Sequence, residues 1–132
     1  MRSTLKCLLA LALLLTSVPA FCLPAAAAQG RTALQRRVQF ARGRTSTVIT
    51  NTIRRGTTHD YLLSARAGQT MIVHLVAKQS DFIVYSPNGG GAVEGADGVK
   101  DFEGALPETG EYTITISTDA RVAPYTLEIT IR

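Results

Sequence analysis

The chain has 132 residues (14.1 kDa), is 45% hydrophobic and 18% charged, and carries a formal net charge of +4. That length holds one domain with no room for a second core, and that hydrophobic content excludes a disordered polymer. With only two cysteines, Cys7 and Cys22, the totals also exclude a multidomain enzyme, a coiled coil and a disulfide-stapled miniprotein, and leave a small binding module.

The N-terminal segment reads as an export address. Arg2 and Lys6 form a positive start, and Leu8 to Leu15 is an unbroken run of Leu and Ala. Pro19 and Pro24 break any helix, and the small residues Ala25 to Ala28 fit a signal-peptidase site. Residues 1–28 are therefore expected to be a cleaved signal peptide. The apolar run is short for a permanent anchor, and no second one follows. Phe21 before Cys22 is not the small residue that lipid attachment requires. The domain is thus expected in the periplasm or outside the cell, with no membrane anchor. Residues 29–132 contain no cysteine, so stability must come from a packed core.

Residues 29–37 are polar and are expected as a flexible arm ahead of a domain over 38–132. Beyond them, period-two patterning recurs. Val38 and Phe40 alternate with polar or small residues, and Thr45 to Ile53 is rich in β-branched side chains, ending in the turn Arg54-Arg55-Gly56. Tyr61, Leu63 and Ala65 define one face of the next strand, which turns at Ala67-Gly68-Gln69. Met71, Val73 and Leu75 face one way and Ile72, His74 and Val76 the other, which predicts a central strand buried on both sides. Phe82 and Val84 precede the turn Ser86-Pro87-Asn88-Gly89. The glycine-rich stretch 88–98 is expected as a mobile loop, and 101–105 as a short strand closed by Leu106-Pro107-Glu108-Thr109-Gly110. Tyr112, Ile114 and Ile116, then Tyr125, Leu127, Ile129 and Ile131, mark two half-buried strands, with Thr118 to Pro124 short enough for a hairpin. No segment after residue 30 has a helical period. The pattern predicts an all-β fold: an antiparallel, jelly-roll-like β-sandwich of seven to eight short strands.

Charge is divided along the chain. Residues 29–78 hold nine Arg or Lys and one acid, Asp60, whereas residues 79–132 hold three basic and nine acidic side chains. Folding can interleave the halves into ordinary solvated strand faces, or leave a basic patch for an acidic partner. Nucleic acid is not expected, because no aromatic residues are interleaved with the basic ones as stacking platforms.

Groups able to do covalent chemistry are few. His59 falls in a polar turn, and His74 reads as a hydrogen-bonded structural histidine. No Gly-x-Ser-x-Gly turn and no zinc-spaced His or Cys set occurs. Glu94, Asp97, Asp101 and Glu103 could offer oxygens to calcium but lack the EF-hand order, and a solvated loop is the better reading. With no Trp, a sugar-lining surface is thin. The expectation is a binding protein, not an enzyme, with no cofactor and no metal.

Six stretches occur in a distinctive order: Tyr61 to Gln69 (YLLSARAGQ), Thr70 to Leu75 (TMIVHL), Phe82 to Gly89 (FIVYSPNG), Leu106 to Tyr112 (LPETGEY), Asp119-Ala120-Arg121, and Tyr125 to Arg132 (YTLEITIR). Together they resemble the periplasmic inhibitors of g-type (goose-type) lysozyme, and the wider group of exported domains like the pre-peptidase C-terminal domain. The resemblance spans Val38 to Arg132. It implies an inhibitor that occludes the lysozyme active-site cleft with loop residues. Arg121 is the implied contact, with Asp119 either orienting it or capping the turn, and Thr118 beside them. The family's second contact segment, an aromatic with a Ser-Gly pair on an early strand, corresponds here to Ile49, Thr50 and Asn51, which have neither. The implied partner is g-type lysozyme, and the chain is expected as a monomer or weak dimer. The alternative is a general exported β-sandwich that binds an envelope protein or a cell-surface polysaccharide.

Overall fold

The computed structural model describes residues 31–132. The signal peptide expected over 1–28 lies outside them. Nine strands form the described chain: β1 (Arg31–Arg37), β2 (Ser46–Arg54), β3 (Thr57–Ala65), β4 (Thr70–Val76), β5 (Ser80–Tyr85), β6 (Ala92–Val99), β7 (Asp101–Ala105), β8 (Gly110–Thr118) and β9 (Val122–Ile131). They make a β-sandwich of a five-stranded sheet, β1-β3-β8-β5-β6, and a four-stranded sheet, β2-β9-β4-β7.

The period-two pattern selects the inner faces. Tyr61 and Leu63 on β3, Phe82 and Val84 on β5, and Tyr112, Ile114 and Ile116 on β8 meet Met71, Val73 and Leu75 on β4 and Tyr125, Leu127 and Ile129 on β9. Each of these side chains is buried, as sheet-on-sheet packing of alternating strands requires. The Leu106-to-Tyr112 stretch is a clamp. The Tyr112 hydroxyl donates to the Glu108 carbonyl (2.6 Å) and accepts from the Glu108 N–H (3.1 Å), a tyrosine corner. Between them, Gly110 lies so close to Pro87 that a Cβ would meet the proline ring at 2.7 Å.

Several expectations are corrected. Residues 31–37 are not a free arm: they form β1, an edge strand that pairs parallel with β3, with a register shift between Thr32 and Leu34. Val38 to Ala41 is not a strand, although Val38 is buried. The expected glycine-rich loop is, from Ala92, the edge strand β6. Its pairing with β5 is interrupted by two register shifts, and Gly95 and Gly98 take positive φ there. β4 is central, between β9 and β7, but buried on one face only: His74 and Val76 are exposed. The segment from Thr118 to Pro124 does not close a hairpin. β8 pairs with β3 and β5, β9 pairs with β2 and β4, and the link crosses between sheets.

The strand order also keeps the charges apart. The adjoining edges β1 and β2 carry Arg31, Arg36, Arg37 and Arg54 and no acid, and their connection adds Arg42 and Arg44. The opposite edges, β6 and β7, carry Glu94, Asp97, Asp101 and Glu103. Lys100 stands at the corner between β6 and β7, where its Nζ donates to the carbonyls of Ala77 and Lys78.

Candidate functional site

Of the seven connections that cross from one sheet to the other, three form the site: Arg55-Gly56 between β2 and β3, residues 77–79 between β4 and β5, and residues 119–121 between β8 and β9. All three meet at one end of the sandwich and are bonded to one another. Arg55 donates its Nε to the Asp119 carbonyl (2.8 Å) and its backbone N–H to the Arg121 carbonyl (3.2 Å). The Asp119 N–H and the Thr118 hydroxyl both donate to the Gln79 carbonyl, at 3.2 and 2.8 Å. The Ala120 N–H donates back to the Thr118 hydroxyl (3.1 Å), a side-chain-capped turn.

The result is a rigid platform with cations around it. Arg54, Arg55, Lys78 and Arg121 are all exposed there, with Asp119 the single acid on the three connections. Beside them lies a shallow apolar depression lined by Val76, Ala77, Ala120, Val122, Ala123 and Pro124. Val76 and Val122 are 58% and 50% exposed, an apolar surface that the fold itself leaves uncovered. Cations ringing a desolvatable apolar floor suit recognition of a partner's carboxylate, where a guanidinium gains charge-assisted hydrogen bonds.

The residues singled out from the sequence fall into two groups. Thr118, Asp119 and Arg121 are together on this platform. Thr118 is buried and serves as the loop's internal anchor. The Asp119 carboxylate makes no ion pair with Arg121 among the described residues; it is the Asp119 main chain that is used, as acceptor for Arg55 and donor to Gln79. Ile49, Thr50 and Asn51 sit on β2, away from the platform. Asn51 is three residues from Arg54, about 10 Å along the strand. Its Oδ1 accepts from the Thr52 N–H, and the Thr50 hydroxyl lies 3.5 Å from that of Thr126. Ile49 and Thr50 line a different depression, with Arg36 and Arg37. In the sequence Arg55 stands out only as part of a turn. An adjacent pair of arginines ahead of Gly56 was the available signal, but nothing local says that it reaches residue 119.

Of the two histidines, His59 is in no turn, whereas His74 is hydrogen-bonded as expected but lies exposed. His59 is in β3 and buried, with its Nδ1 2.7 Å from the Tyr125 hydroxyl, which is itself 2.5 Å from the Tyr61 hydroxyl. Burial pushes the His59 pKa below its ordinary value, against a smaller opposing pull from Asp60. Burial and the hydrogen bond to Tyr61 push the Tyr125 phenol well up. A neutral His59 leaves Nδ1 able to accept from Tyr125. His74 is exposed and paired with Asp101 on the outer face of the smaller sheet. Among the described residues, no group of three His, Cys, Asp or Glu side chains is placed to hold a metal ion, and no helix is long and apolar enough to cross a membrane.

No protein-family model matches the chain, and no curated protein matches it. Solved structures do. PliG of Aeromonas hydrophila, a periplasmic inhibitor of g-type lysozyme, superposes with a TM-score of 0.67 at 29% identity, over 75% of this chain and 97% of that one. The chain is similar to the g-type lysozyme inhibitors. PliG of Salmonella Typhimurium gives a TM-score of 0.65 at 21% identity, over 76% of this chain and all (100%) of that one. The pre-peptidase C-terminal domain of a Bacillus anthracis collagenase shares the fold at a TM-score of 0.50 and 10% identity, over 74% and 94%. Both groups to which the sequence showed a resemblance are thus neighbours in three dimensions.

Proposed function

We propose that this protein is an exported, periplasmic inhibitor of g-type lysozyme, and that its three-connection platform enters the lysozyme cleft. The observation that carries the reading is the Arg55–Asp119 bond. It fastens the turn bearing one arginine to the loop bearing another, so Arg55 and Arg121 are presented together on a rigid base. A glycoside hydrolase cleft offers a catalytic carboxyl group and polar sugar subsites. Arg121 reaches that carboxyl as a charge-assisted donor, and Arg55 holds the loop from which it does so. The Val76–Val122 floor excludes water around the contact. Preorganisation matters because ordering a free loop on binding would cost about 0.5–1.5 kcal/mol per immobilised side chain. No bond is made or broken: inhibition is by occupation. The similarity to the Aeromonas hydrophila inhibitor over nearly its whole length supports the partner and the compartment.

The test is a titration of the purified protein against g-type, c-type and i-type lysozymes acting on bacterial cells. Loss of g-type activity alone, at nanomolar to micromolar inhibitor, supports the reading. No loss at tens of micromolar overturns it.

A further inference from the structure

A basic edge runs along β1 away from the platform, starting where the Arg31 N–H donates to the Gly56 carbonyl (3.0 Å). From residue 31 to residue 53 the chain holds five arginines, Arg31, Arg36, Arg37, Arg42 and Arg44, with no lysine and no acid. The fold lays them along one side, on the edge strand β1 and on the connection that leads to the adjoining edge strand β2. Between the end of β1 and the middle of β2 runs an open groove lined by Arg36, Arg37, Gln39, Thr47, Val48 and Thr50. Its polar side chains are guanidinium, amide and hydroxyl groups, and none is a carboxylate. Arg37 meets Glu111 at 2.6 Å at the outer rim, while Arg36 makes no side-chain bond among the described residues.

From this geometry we infer that the groove binds a linear phosphate-bearing polyanion. Three features support that occupant. All the cations are arginine, whose planar fork matches two phosphate oxygens at once, which a lysine ammonium does not. The edge is long: the seven residues of β1 extend over about 23 Å, room for several phosphates in a row. The acids of β6 and β7 lie on the far side of both sheets, and near the groove only Glu111, already paired with Arg37, and Glu128, across from Val48, oppose a chain of negative charge. Guarding the edges against strand pairing would need only one or two charges, not an arginine-only tract with hydroxyl donors in the groove.

The experiment measures binding of fluorescently labelled inorganic polyphosphate to the protein by anisotropy across a salt series. Wild type is expected to bind with log Kd rising with log salt at a slope of about 3, the release expected for about four neutralised phosphates on a single chain. The double variant Arg36→Gln with Arg37→Gln should weaken binding about tenfold or more and lower the slope by about 1.4. The variant Arg66→Gln with Lys78→Gln removes the same charge elsewhere and should change binding less than about threefold. Melting temperatures confirm that both variants fold; the Arg37–Glu111 pair is exposed and contributes little. Lysozyme inhibition should be the same in the groove variant as in wild type. Equal losses in the two double variants would reduce the effect to net charge and overturn the proposal. So would absence of binding, or binding to anionic lipid vesicles without binding to polyphosphate. If no lysozyme is inhibited but the groove variant alone loses polyphosphate, the inhibitor reading falls and this one stands.

Discussion

Arg55 holds Asp119. The guanidinium Nε donates to the Asp119 carbonyl at 2.8 Å, joining two connections that stand 64 positions apart in the chain. Removing it should loosen residues 119–121 without touching the core. Arg55→Ala is expected to weaken inhibition of g-type lysozyme about tenfold, or 1.4 kcal/mol. The melting transition should lose no more than about 1 kcal/mol, the net worth of such a bond. Arg55→Lys should not restore inhibition, because an ammonium lacks the Nε donor in that plane. Inhibition curves and thermal melts of both variants check this.

Arg121 differs from Arg55 in making no side-chain bond among the described residues. Arg121→Ala should therefore lower inhibition about tenfold or more and leave the melting temperature nearly unchanged. A joint fall of activity and stability would make Arg121 a structural residue. No change in either would place the contact surface elsewhere.

Tyr125 serves two partners inside the sandwich, His59 at 2.7 Å and Tyr61 at 2.5 Å. Tyr125→Phe leaves both buried groups short of a hydrogen bond. A loss of about 1–3 kcal/mol in urea unfolding is expected, larger than for an exposed Tyr. Inhibition by the fraction still folded should be unaltered, which separates this network from the platform.

His59 also sets a pH dependence. Burial lowers its folded-state pKa, so the unfolded chain binds more protons than the native one between that lowered pKa and the ordinary value of about 6.5. Its contribution to stability is therefore full above the ordinary value and is lost as pH falls below it. The slope from one such group cannot exceed about 1.4 kcal/mol per pH unit. Denaturant melts from pH 7.5 down to 5 should show stability falling, and His59→Gln should flatten that part of the profile. An unchanged profile in the variant would assign the acid sensitivity to other groups.

Some of this molecule was legible along the chain. The alternation in Tyr112 to Ile116 and Tyr125 to Ile131 placed β8 and β9, and Met71, Val73 and Leu75 named the buried face of β4. β1 was not legible, because an edge strand with one partly buried residue, Leu34, has no apolar alternation. β6 was hidden by its glycines, which serve bulges in a strand as readily as a loop. The outer face of β4 carries apolar Ile72 and Val76 and yet is not covered, because an apolar residue need not be buried.

Local periodicity fixes which side chains turn inward, since neighbouring residues of a strand point to opposite faces whatever they pair with. It therefore determined the all-β class, the core and most turns of this protein. Only the tertiary structure decided which strands are neighbours, and through that everything tied to function. It made the link after β8 a crossing between sheets, brought Arg55 to Asp119, set Ile49 and Thr50 apart from Arg121, and gathered the arginines of β1 and β2 on one side. Strand pairing is a contact between distant segments, chosen by the packing of the whole sandwich, and no short stretch of sequence contains it.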